Sequence, residues 1–571
     1  MASIASSSSA ASDRSDSSTL AALLTPPDSS PASPLKSQSP FLPPTPSTPG
    51  SIQEQQQQQQ KSKSNGLVKK SNTYTDSLLS LTDNVTSLIA SSIYSLPNSF
   101  SGPLISIARL AILSMMNSQI SYGKLTIITP QNEIHTFPST SAESSNNRND
   151  SDTGNEKSEQ ECTIKVLKDS FWLRLVAQGD LGFAESYMMG ECEVDDLVQV
   201  FKIFIKSAPS AQSTHISGVR TIPSRIFSLI TSLTNSRFAN TITNSICNIS
   251  AHYDLSNGMF SSFLSKDMTY SCAIYPELDK DLYDGKEFQR KQGKIIDIYE
   301  ENGEDELEQA QLAKLRHIIR KADIQPGHRV LEIGSGWGSM AIEAVRQTNC
   351  TVDTITLSAQ QKALAEDRIK EAGLAGRIRV WLMDYRKLPE SWKGTFDRVV
   401  SCEMLEAVGK EFIPGYFGVL NEMLNEQGVA CIQVITIPES RFEKYQQEVD
   451  FIRKWIFPGG FLPTVTYVTD SATKGSQNRL VLDSISNIGP HYARTLREWR
   501  HRFVANFESL VIPALFDEHP NMNDEDIQVF KRKWIYYFAY CEIGFSERVL
   551  GDHIFTWVRE GYSGYGCSTF N

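Results

Sequence analysis

The chain has 571 residues, more than a single compact core usually holds, so we expect several domains. Its formal net charge of -11 argues against nucleic acid as a partner, because nucleic-acid-binding proteins need a basic surface. Its nine cysteines include no Cys-x-x-Cys pair, which argues against a disulfide framework and a structural metal site and favours a reducing, cytoplasmic location.

Residues 1–72 are dominated by serine, proline and glutamine, and Phe41 is the only aromatic residue among them. Such a segment buries too little apolar surface to offset the entropy of ordering, so we predict a disordered tail. The longest apolar run, residues 104–116, is interrupted by Arg109 and is too short to cross a bilayer. We therefore expect no transmembrane helix.

Residues 73–250 are predicted to form a small α+β domain. The strand-like segments 122–129 and 134–137 flank a polar turn, which is typical of a β-hairpin. Residues 163–166 predict another strand. Residues 139–161 lack aromatic and large aliphatic side chains, so we expect a solvated, disordered insertion there.

Residues 197–250 contain no Asp or Glu, and basic residues alternate there with apolar ones. The basic residues include Lys202, Lys206, Arg220, Arg225 and Arg237. A cationic amphipathic segment can lie on an anionic membrane surface, which would make the protein peripherally membrane-associated. An amphipathic helix that faces its own core has the same pattern, so both interpretations stay open.

Residues 251–571 alternate between strand-like and helix-like segments. The strand-like segments are residues 329–333, 352–357, 378–382, 396–401 and 428–435. This alternation predicts an α/β domain with a doubly wound, Rossmann-like parallel sheet, followed by a C-terminal helical lid. Ligands of such sheets bind at the carboxyl ends of the strands, so candidate site residues should lie there.

A glycine-rich loop follows the first strand of this domain. It contains Gly334, Gly336 and Gly338, while Ser339 stands where a dinucleotide-binding fingerprint has its third glycine. The acid before the loop, Glu332, suits a cationic, amino-acid-bearing cofactor better than a pyrophosphate. The loop therefore favours the first motif of a class I S-adenosylmethionine-dependent methyltransferase over an NAD site.

Several further segments, read together, resemble the cyclopropane-fatty-acyl-phospholipid synthases and their mycolic acid cyclopropane synthase relatives, most closely the plant and fungal members. The segments are His252-Tyr-Asp-Leu-Ser-Asn, Met268-Thr-Tyr-Ser-Cys-Ala, Thr356-Leu-Ser-Ala-Gln-Gln, Ser401-Cys-Glu-Met-Leu-Glu-Ala-Val-Gly, Trp455-Ile-Phe-Pro-Gly-Gly-Phe-Leu-Pro and Gly489-Pro-His-Tyr-Ala-Arg-Thr-Leu. The resemblance covers roughly residues 120–560 and is most specific over residues 252–500.

The resemblance implies a reaction in which the methyl carbon of S-adenosylmethionine adds across a cis double bond of an unsaturated phospholipid acyl chain. A bound bicarbonate ion then removes a proton and a cyclopropane ring closes. The implied cofactor contacts are Tyr270, Ser271, Gly334, Gly336, Thr356 and Gln361. The implied bicarbonate positions are Cys272, Glu406, Ile435, Tyr492 and Gln433. Gln433 stands where bacterial members usually have histidine, and an amide can donate a hydrogen bond but cannot carry charge.

Structural interpretations of the same residues also stay open. Cys272 could be an ordinary buried residue, Tyr492 could merely pack, and either Glu406 or Glu403, one helical turn away, could face the cavity. Late aromatic residues could line a carbocation site or form the core of the lid. They are Phe457, Phe461, Trp534, Tyr536, Tyr537 and Tyr540.

Two alternative functions remain beside ring formation. One is methylation of a lipid or sphingolipid alkene without ring closure. The other is a non-catalytic lipid-binding scaffold of the same fold, which only Gln433 supports. The oligomeric state also stays open, with a homodimer among the candidates.

Overall fold

The computed structural model describes residues 98–138, 161–208, 256–278, 281 and 305–564. All of these residues belong to one compact unit, Leu78–Asn571. The predicted tail, nearly all of the predicted insertion at 139–161 and the three arginines of the basic segment lie outside the described residues.

Four short strands form the sheet of a smaller lobe. They are β1 (Lys124–Ile128), β2 (Ile134–Phe137), β3 (Glu161–Val166) and β4 (Cys192–Val194). The strand order is β2-β1-β3-β4, and β1 pairs antiparallel with β2, which confirms the predicted hairpin. Leu125 and Ile127 are fully buried because alternate side chains of a strand point to the same face. The accompanying helices are α1 (Asn98–Gln119), α2 (Ser170–Gln178), α3 (Asp180–Met188) and α4 (Leu197–Ser207).

Helix α4 is the described beginning of the basic segment at 197–250. The Asp196 side chain caps it by accepting a hydrogen bond from the Gln199 backbone N–H at 3.0 Å. The apolar face is buried, and the ring of Phe201 lies 5.2 Å from that of Tyr536 and 5.6 Å from that of Tyr540. This part of the segment therefore packs against the protein core. Within the residues that the structure describes, no helix is both long and apolar enough to cross a membrane.

Seven strands form the larger sheet, on which the candidate site lies. They are β5 (Arg329–Ile333), β6 (Thr351–Thr356), β7 (Ile378–Leu382), β8 (Phe396–Cys402), β9 (Leu424–Thr436), β10 (Leu480–Asn487) and β11 (Gly551–Arg559). The order is β10-β11-β9-β8-β5-β6-β7. Strands β5 to β9 are parallel, which confirms the predicted doubly wound sheet, while β11 runs antiparallel to both β9 and β10.

Helices flank this sheet and extend beyond it. They are α5 (Asn257–Ser261), α6 (Glu306–Lys321), α7 (Ser339–Thr348), α8 (Ala359–Glu371), α9 (Ile413–Met423), α10 (Glu439–Gln447), α11 (Val465–Gly475), α12 (Gly489–Ala505), α13 (Ile512–Glu518) and α14 (Asp524–Ser546). Short 3₁₀ turns span Tyr385–Lys387, Glu390–Trp392, Leu405–Ala407 and Lys410–Phe412. Two π-helical turns span Ile452–Ile456 and Phe507–Val511.

The strand order reverses between β5 and β8, and the carboxyl ends of these two strands open a crevice there. Because β11 is antiparallel, it begins at the edge where β9 ends, and Gly551 pairs with Thr436. Helix α12 also begins at this edge. A Cβ atom at Gly489 would lie 2.9 Å from the Asp552 backbone nitrogen, so only glycine permits this close approach. The edge thus gathers β8, β9, β11 and α12.

The packing of α4 against α14 yields a stability prediction. We expect Phe201→Ala to destabilise the protein by about 3–5 kcal/mol, because it removes a fully buried ring from an aromatic cluster. Phe516→Ala is the matched control, since this ring is 39% exposed and should cost less than about 1 kcal/mol. Urea unfolding followed by circular dichroism measures both. Equal losses in the two variants would contradict the packing described for α4.

Candidate active site

Two cavities meet at the carboxyl ends of the central strands. The first, of about 160 Å³, is lined by the glycine loop and by the ends of β5, β6 and β8. The second, of about 190 Å³, has mainly aromatic and aliphatic walls from the C-terminal part of the chain. Tyr270, Glu403 and Ala407 line both cavities and therefore mark their junction.

The glycine loop forms the floor of the first cavity. Gly334 and Gly336 have φ angles of 98° and 47°, which residues with a side chain rarely adopt, and both line the cavity. Gly338 has a different position, because it is the N-cap of α7 and does not line either cavity. A Cβ atom at Gly338 would lie 3.4 Å from the Ala365 Cβ atom, so its role in the structure is close packing against α8.

Glu332 is buried in the wall of the first cavity. Among the described residues, none donates a hydrogen bond to its Oε2 atom, and the Ser335 hydroxyl beside it is likewise without a partner. Burial raises the pKa of Glu332 to about 8. A buried carboxyl with an unused acceptor fits a positively charged ligand group, because such a group would stabilise the ionised form.

The remaining cofactor candidates line the same cavity. The Thr356 hydroxyl donates to the Gln361 side-chain oxygen at 2.8 Å, which orients this amide at the end of β6. The Tyr270 hydroxyl lies 3.1 Å from that of Tyr537, and Ser271 accepts a hydrogen bond from the Lys314 ammonium group. The structure therefore brings together seven of the eight predicted cofactor residues, all except Gly338.

Helix α6 contributes two buried polar side chains that the sequence analysis does not identify. Its buried stripe of Leu307, Ala310, Leu315 and Ile318 also contains Gln311 and Lys314, both fully buried. The Gln311 amide donates to the Ser271 backbone carbonyl at 2.8 Å. A lysine at an apolar position of a helix is the sequence signal that would have indicated this site, because lysine is rarely buried without a partner.

Glu403 immediately follows β8 and is the shared acceptor of three donors. Its Oε1 atom accepts the Cys272 backbone N–H at 2.8 Å and the Gln433 side-chain amide at 2.7 Å. Its Oε2 atom accepts the Tyr492 hydroxyl at 2.6 Å. The donors come from the segment before α6, from β9 and from α12. Three of the five predicted catalytic positions thus converge on a carboxylate that the resemblance does not assign.

The Gln433 amide also donates to a second carboxyl, Asp552 Oδ2, at 2.7 Å. Burial raises the pKa of Asp552 well above its ordinary value, and the adjacent Glu403 charge raises it further. Burial also raises the pKa of Glu403, but the Cys272 N–H and the Tyr492 hydroxyl act in the opposite direction. Because Glu403 accepts three hydrogen bonds, we assign the negative charge to Glu403 and the proton to Asp552.

The Cys272 thiol is fully buried, and its pKa lies well above the ordinary value because of that burial. A neutral thiol is a poor nucleophile, so the contribution of this residue to the site is its backbone N–H.

Glu406 occupies a different position from Glu403. Its Oε1 atom accepts the Ile435 backbone N–H at 2.6 Å, whereas no described residue donates to its Oε2 atom. Both Glu406 and Ile435 line the second cavity only. Burial, followed by repulsion from Glu403, raises the pKa of Glu406 to about 8. The five predicted catalytic positions therefore divide between two carboxyl groups.

The predicted aromatic residues also divide into two groups. Phe457, Phe461, Tyr537 and Tyr540 line the second cavity. Trp534 and Tyr536 do not line it and are almost completely buried in the core of the C-terminal helices. The core interpretation therefore holds for Trp534 and Tyr536, whereas the other four line a cavity and their role beside a carbocation stays a prediction.

Comparison with known proteins gives consistent results. Residues 240–555 match the family described as mycolic acid cyclopropane synthetase. The chain is 33% identical over 393 residues to tuberculostearic acid methyltransferase UfaA1 of Mycobacterium tuberculosis, covering 69% of this chain and 82% of that protein. It is 31% identical over 388 residues to cyclopropane-fatty-acyl-phospholipid synthase of Escherichia coli K12, covering 67% and 85%. The solved cyclopropane synthase MmaA2 from Mycobacterium tuberculosis aligns at 25% identity and a TM-score of 0.44, covering 55% of this chain and 98% of that one.

The environment of Glu332 predicts a pH-dependent affinity for S-adenosylmethionine. A cationic ligand lowers the raised pKa of Glu332, so binding releases a proton and strengthens as the pH rises. We expect a gain of up to about tenfold per pH unit below about pH 8, and little change above it. Calorimetric titration of the wild type and of Glu332→Gln measures this slope.

The glutamine variant should bind more weakly at about pH 8 and with a flatter pH profile, because it cannot ionise. Glu426→Gln is the matched control, since Glu426 is exposed and distant in sequence from the loop. A Glu332→Gln profile as steep as that of the control would remove Glu332 from the cofactor site.

Proposed function

This chain belongs to the mycolic acid cyclopropane synthetase family of S-adenosylmethionine-dependent methyltransferases, and we propose that it methylates a carbon–carbon double bond in a lipid acyl chain. The finer proposal is that the acyl chain belongs to an unsaturated phospholipid and that the product is a cyclopropane ring. One observation carries it: a polar cavity with a glycine loop meets an apolar cavity at Tyr270 and Glu403.

The first cavity fits S-adenosylmethionine, because its buried acid and glycine backbone suit a cationic, amino-acid-bearing molecule. When bound, this cofactor supplies an electrophilic methyl carbon attached to a sulfonium centre. The residues proposed to hold it are Tyr270, Ser271, Glu332, Gly334, Gly336, Thr356 and Gln361. Gly338 is proposed to act through the packing of α7 that follows the loop.

The second cavity is suited to an acyl chain and to the positive charge that forms on it. An alkene is a weak nucleophile, so its methylation depends on holding the double bond in line with the methyl carbon. Phe457, Phe461 and Tyr540 line this cavity, and aromatic walls can limit the access of water and stabilise a nearby cation. These properties support a carbocation on the lipid as the intermediate.

Bicarbonate is the base that the resemblance implies for removing a proton from this cation. Of its implied donors, Cys272, Gln433 and Tyr492 are all engaged by the Glu403 carboxylate. A bicarbonate ion does not fit between these donors while Glu403 occupies them. Glu406 and Ile435 lie outside this cluster of donors. They line the second cavity, where Glu406 provides a further carboxyl group beside the proposed acyl chain.

A methylated product without a ring is the second candidate. It is favoured by one of the reported relatives being named a methyltransferase, whereas the other is named a synthase. The scaffold alternative rests only on Gln433, and it is weakened because the Gln433 amide nitrogen donates to two carboxyl groups of the candidate site.

The nature of the product is tested by lipid mass spectrometry. The protein is incubated with isotopically labelled S-adenosylmethionine and vesicles of a monounsaturated phospholipid. We expect acyl chains that gain one labelled CH₂ group and resist catalytic hydrogenation under mild conditions, because a ring has replaced the double bond. A labelled branch or exocyclic methylene would instead establish the second candidate. Calorimetric absence of cofactor binding would overturn methyl transfer altogether.

We also propose that the protein associates peripherally with membranes, since its substrate would reside in a bilayer and residues 209–250 contain no acid. A variant with Arg220, Arg225 and Arg237 all changed to Gln should bind anionic vesicles more weakly, by about 1 kcal/mol per residue. Sedimentation with phosphatidylglycerol vesicles measures the loss. Arg379 is an exposed arginine on β7, so Arg379→Gln is the control for the loss of one positive charge outside this segment. An unchanged triple variant would refute electrostatic attachment through this segment.

A further inference from the structure

We infer that Glu403 is the general base of the reaction, a carboxylate built into the chain at the place where the resemblance implies bicarbonate. The inference rests on the proposed function and names the group that accepts the proton. Its first support is the set of donors that meet on this side chain. Cys272 N–H, the Gln433 amide and the Tyr492 hydroxyl all lie 2.6–2.8 Å from its oxygens.

A carboxylate and a bicarbonate ion present the same group to such donors, namely two oxygens in a plane around one carbon atom. Donors arranged for one therefore fit the other. The side chain of Glu403 lines both cavities, so it reaches the point where the methyl carbon meets the double bond. Glu406 does not share this position, because it lines the acyl cavity alone.

The backbone at Glu403 provides a second, independent observation. Its φ angle is 47°, in the left-handed region that favours glycine, and such a conformation costs about 1–3 kcal/mol for other residues. The Glu403 backbone N–H donates to the Gln433 carbonyl at 2.8 Å, which helps to hold it there. Strained residues of this kind cluster at functional sites, where the surrounding structure holds a side chain in one required position.

Gln433 connects this carboxylate to Asp552. Its amide has two N–H groups, and it donates one to Glu403 and one to Asp552. Two adjacent buried carboxyls do not both ionise, and Glu403 has three donors whereas Asp552 is assigned the proton. The neutral amide of Gln433 suits this pair of carboxyl groups. The Glu403 carboxylate is part of the chain, so no positively charged residue such as histidine is needed to keep the anion bound. Asp552 and Gln433 are thus positioning residues for Glu403.

The proton-transfer step balances without another reactant. Once the methyl carbon has bonded to one alkene carbon and its bond to the sulfonium sulfur has broken, with that electron pair left on sulfur, the other alkene carbon carries the positive charge. Glu403 Oε2 takes a proton from the transferred methyl group, and the electron pair of that C–H bond closes the third bond of the ring. Oε2 is assigned because Oε1 already accepts two N–H bonds. The neutral carboxyl returns the proton to water after the product leaves.

The test compares Glu403→Gln, Glu403→Gly and the exposed control Glu426→Gln in buffer freed of carbon dioxide. The wild type and the control should turn over at the same rate with and without added bicarbonate. Glu403→Gln, which keeps the size of the side chain but is not basic, should lose about 10²–10⁴-fold. Glu403→Gly should lose a similar factor and regain at least about tenfold with bicarbonate or formate, which would bind the freed donors.

Glycine adopts a φ angle of 47° without strain, so the glycine variant has no backbone reason to misfold. Thermal melting and calorimetric binding of S-adenosylmethionine check that both variants are folded. Three results would overturn the inference: bicarbonate dependence of the wild type, a Glu403→Gln rate equal to that of the control, or a glycine variant that no oxyanion rescues. Failure of the wild type to modify any lipid, despite binding the cofactor, would overturn the proposed function itself.

Discussion

A carboxylate enclosed by protein must be surrounded by hydrogen-bond donors, and this requirement at Glu403 organises the whole site. Its donors belong to three different parts of the chain, the segment at Cys272, strand β9 at Gln433 and helix α12 at Tyr492. All three parts must be in place before the carboxylate has its full set of donors. The same requirement explains why Gly489 lets α12 approach β11 so closely, since that approach brings Tyr492 into range.

Electrostatics around this carboxylate favour positive charge. Glu332, Glu403, Glu406 and Asp552 all have raised pKa values caused first by burial. Lys314 is a fully buried cation among them, and its charge opposes the shifts of Glu332, Glu403 and Asp552. Because a nearby cation lowers the pKa of a buried carboxyl group, these acids can ionise when a cationic cofactor or a carbocation is present and so stabilise it. The charge balance therefore agrees with the proposed chemistry of both cavities.

Local sequence patterns were sufficient for the central sheet and the glycine loop, because strand hydrophobicity and glycine spacing are read over a few residues. They did not indicate β10, whose side chains are mostly partly or fully exposed, nor the antiparallel strand β11. They also left Gln433 as an unexplained replacement for histidine. Its two carboxyl partners, Glu403 and Asp552, lie 30 and 119 residues away along the chain, and only the fold brings them together. Which of Glu403 and Glu406 accepts the predicted donors also depends on contacts between residues far apart in the chain, so the sequence alone left both glutamates as candidates.

The contrast between these two glutamates bears on which product forms. Removal of a proton from the transferred methyl group closes a ring, whereas removal from a neighbouring chain carbon leaves a branched alkene. Glu403 lies at the junction of the two cavities, where the methyl carbon would meet the double bond, and Glu406 lines only the second cavity. Three donors favour the ionised form of Glu403, while burial and the Glu403 charge raise the pKa of Glu406 to about 8 and keep it largely protonated at neutral pH. The stronger case for a base thus lies at the junction, which favours ring closure over branching.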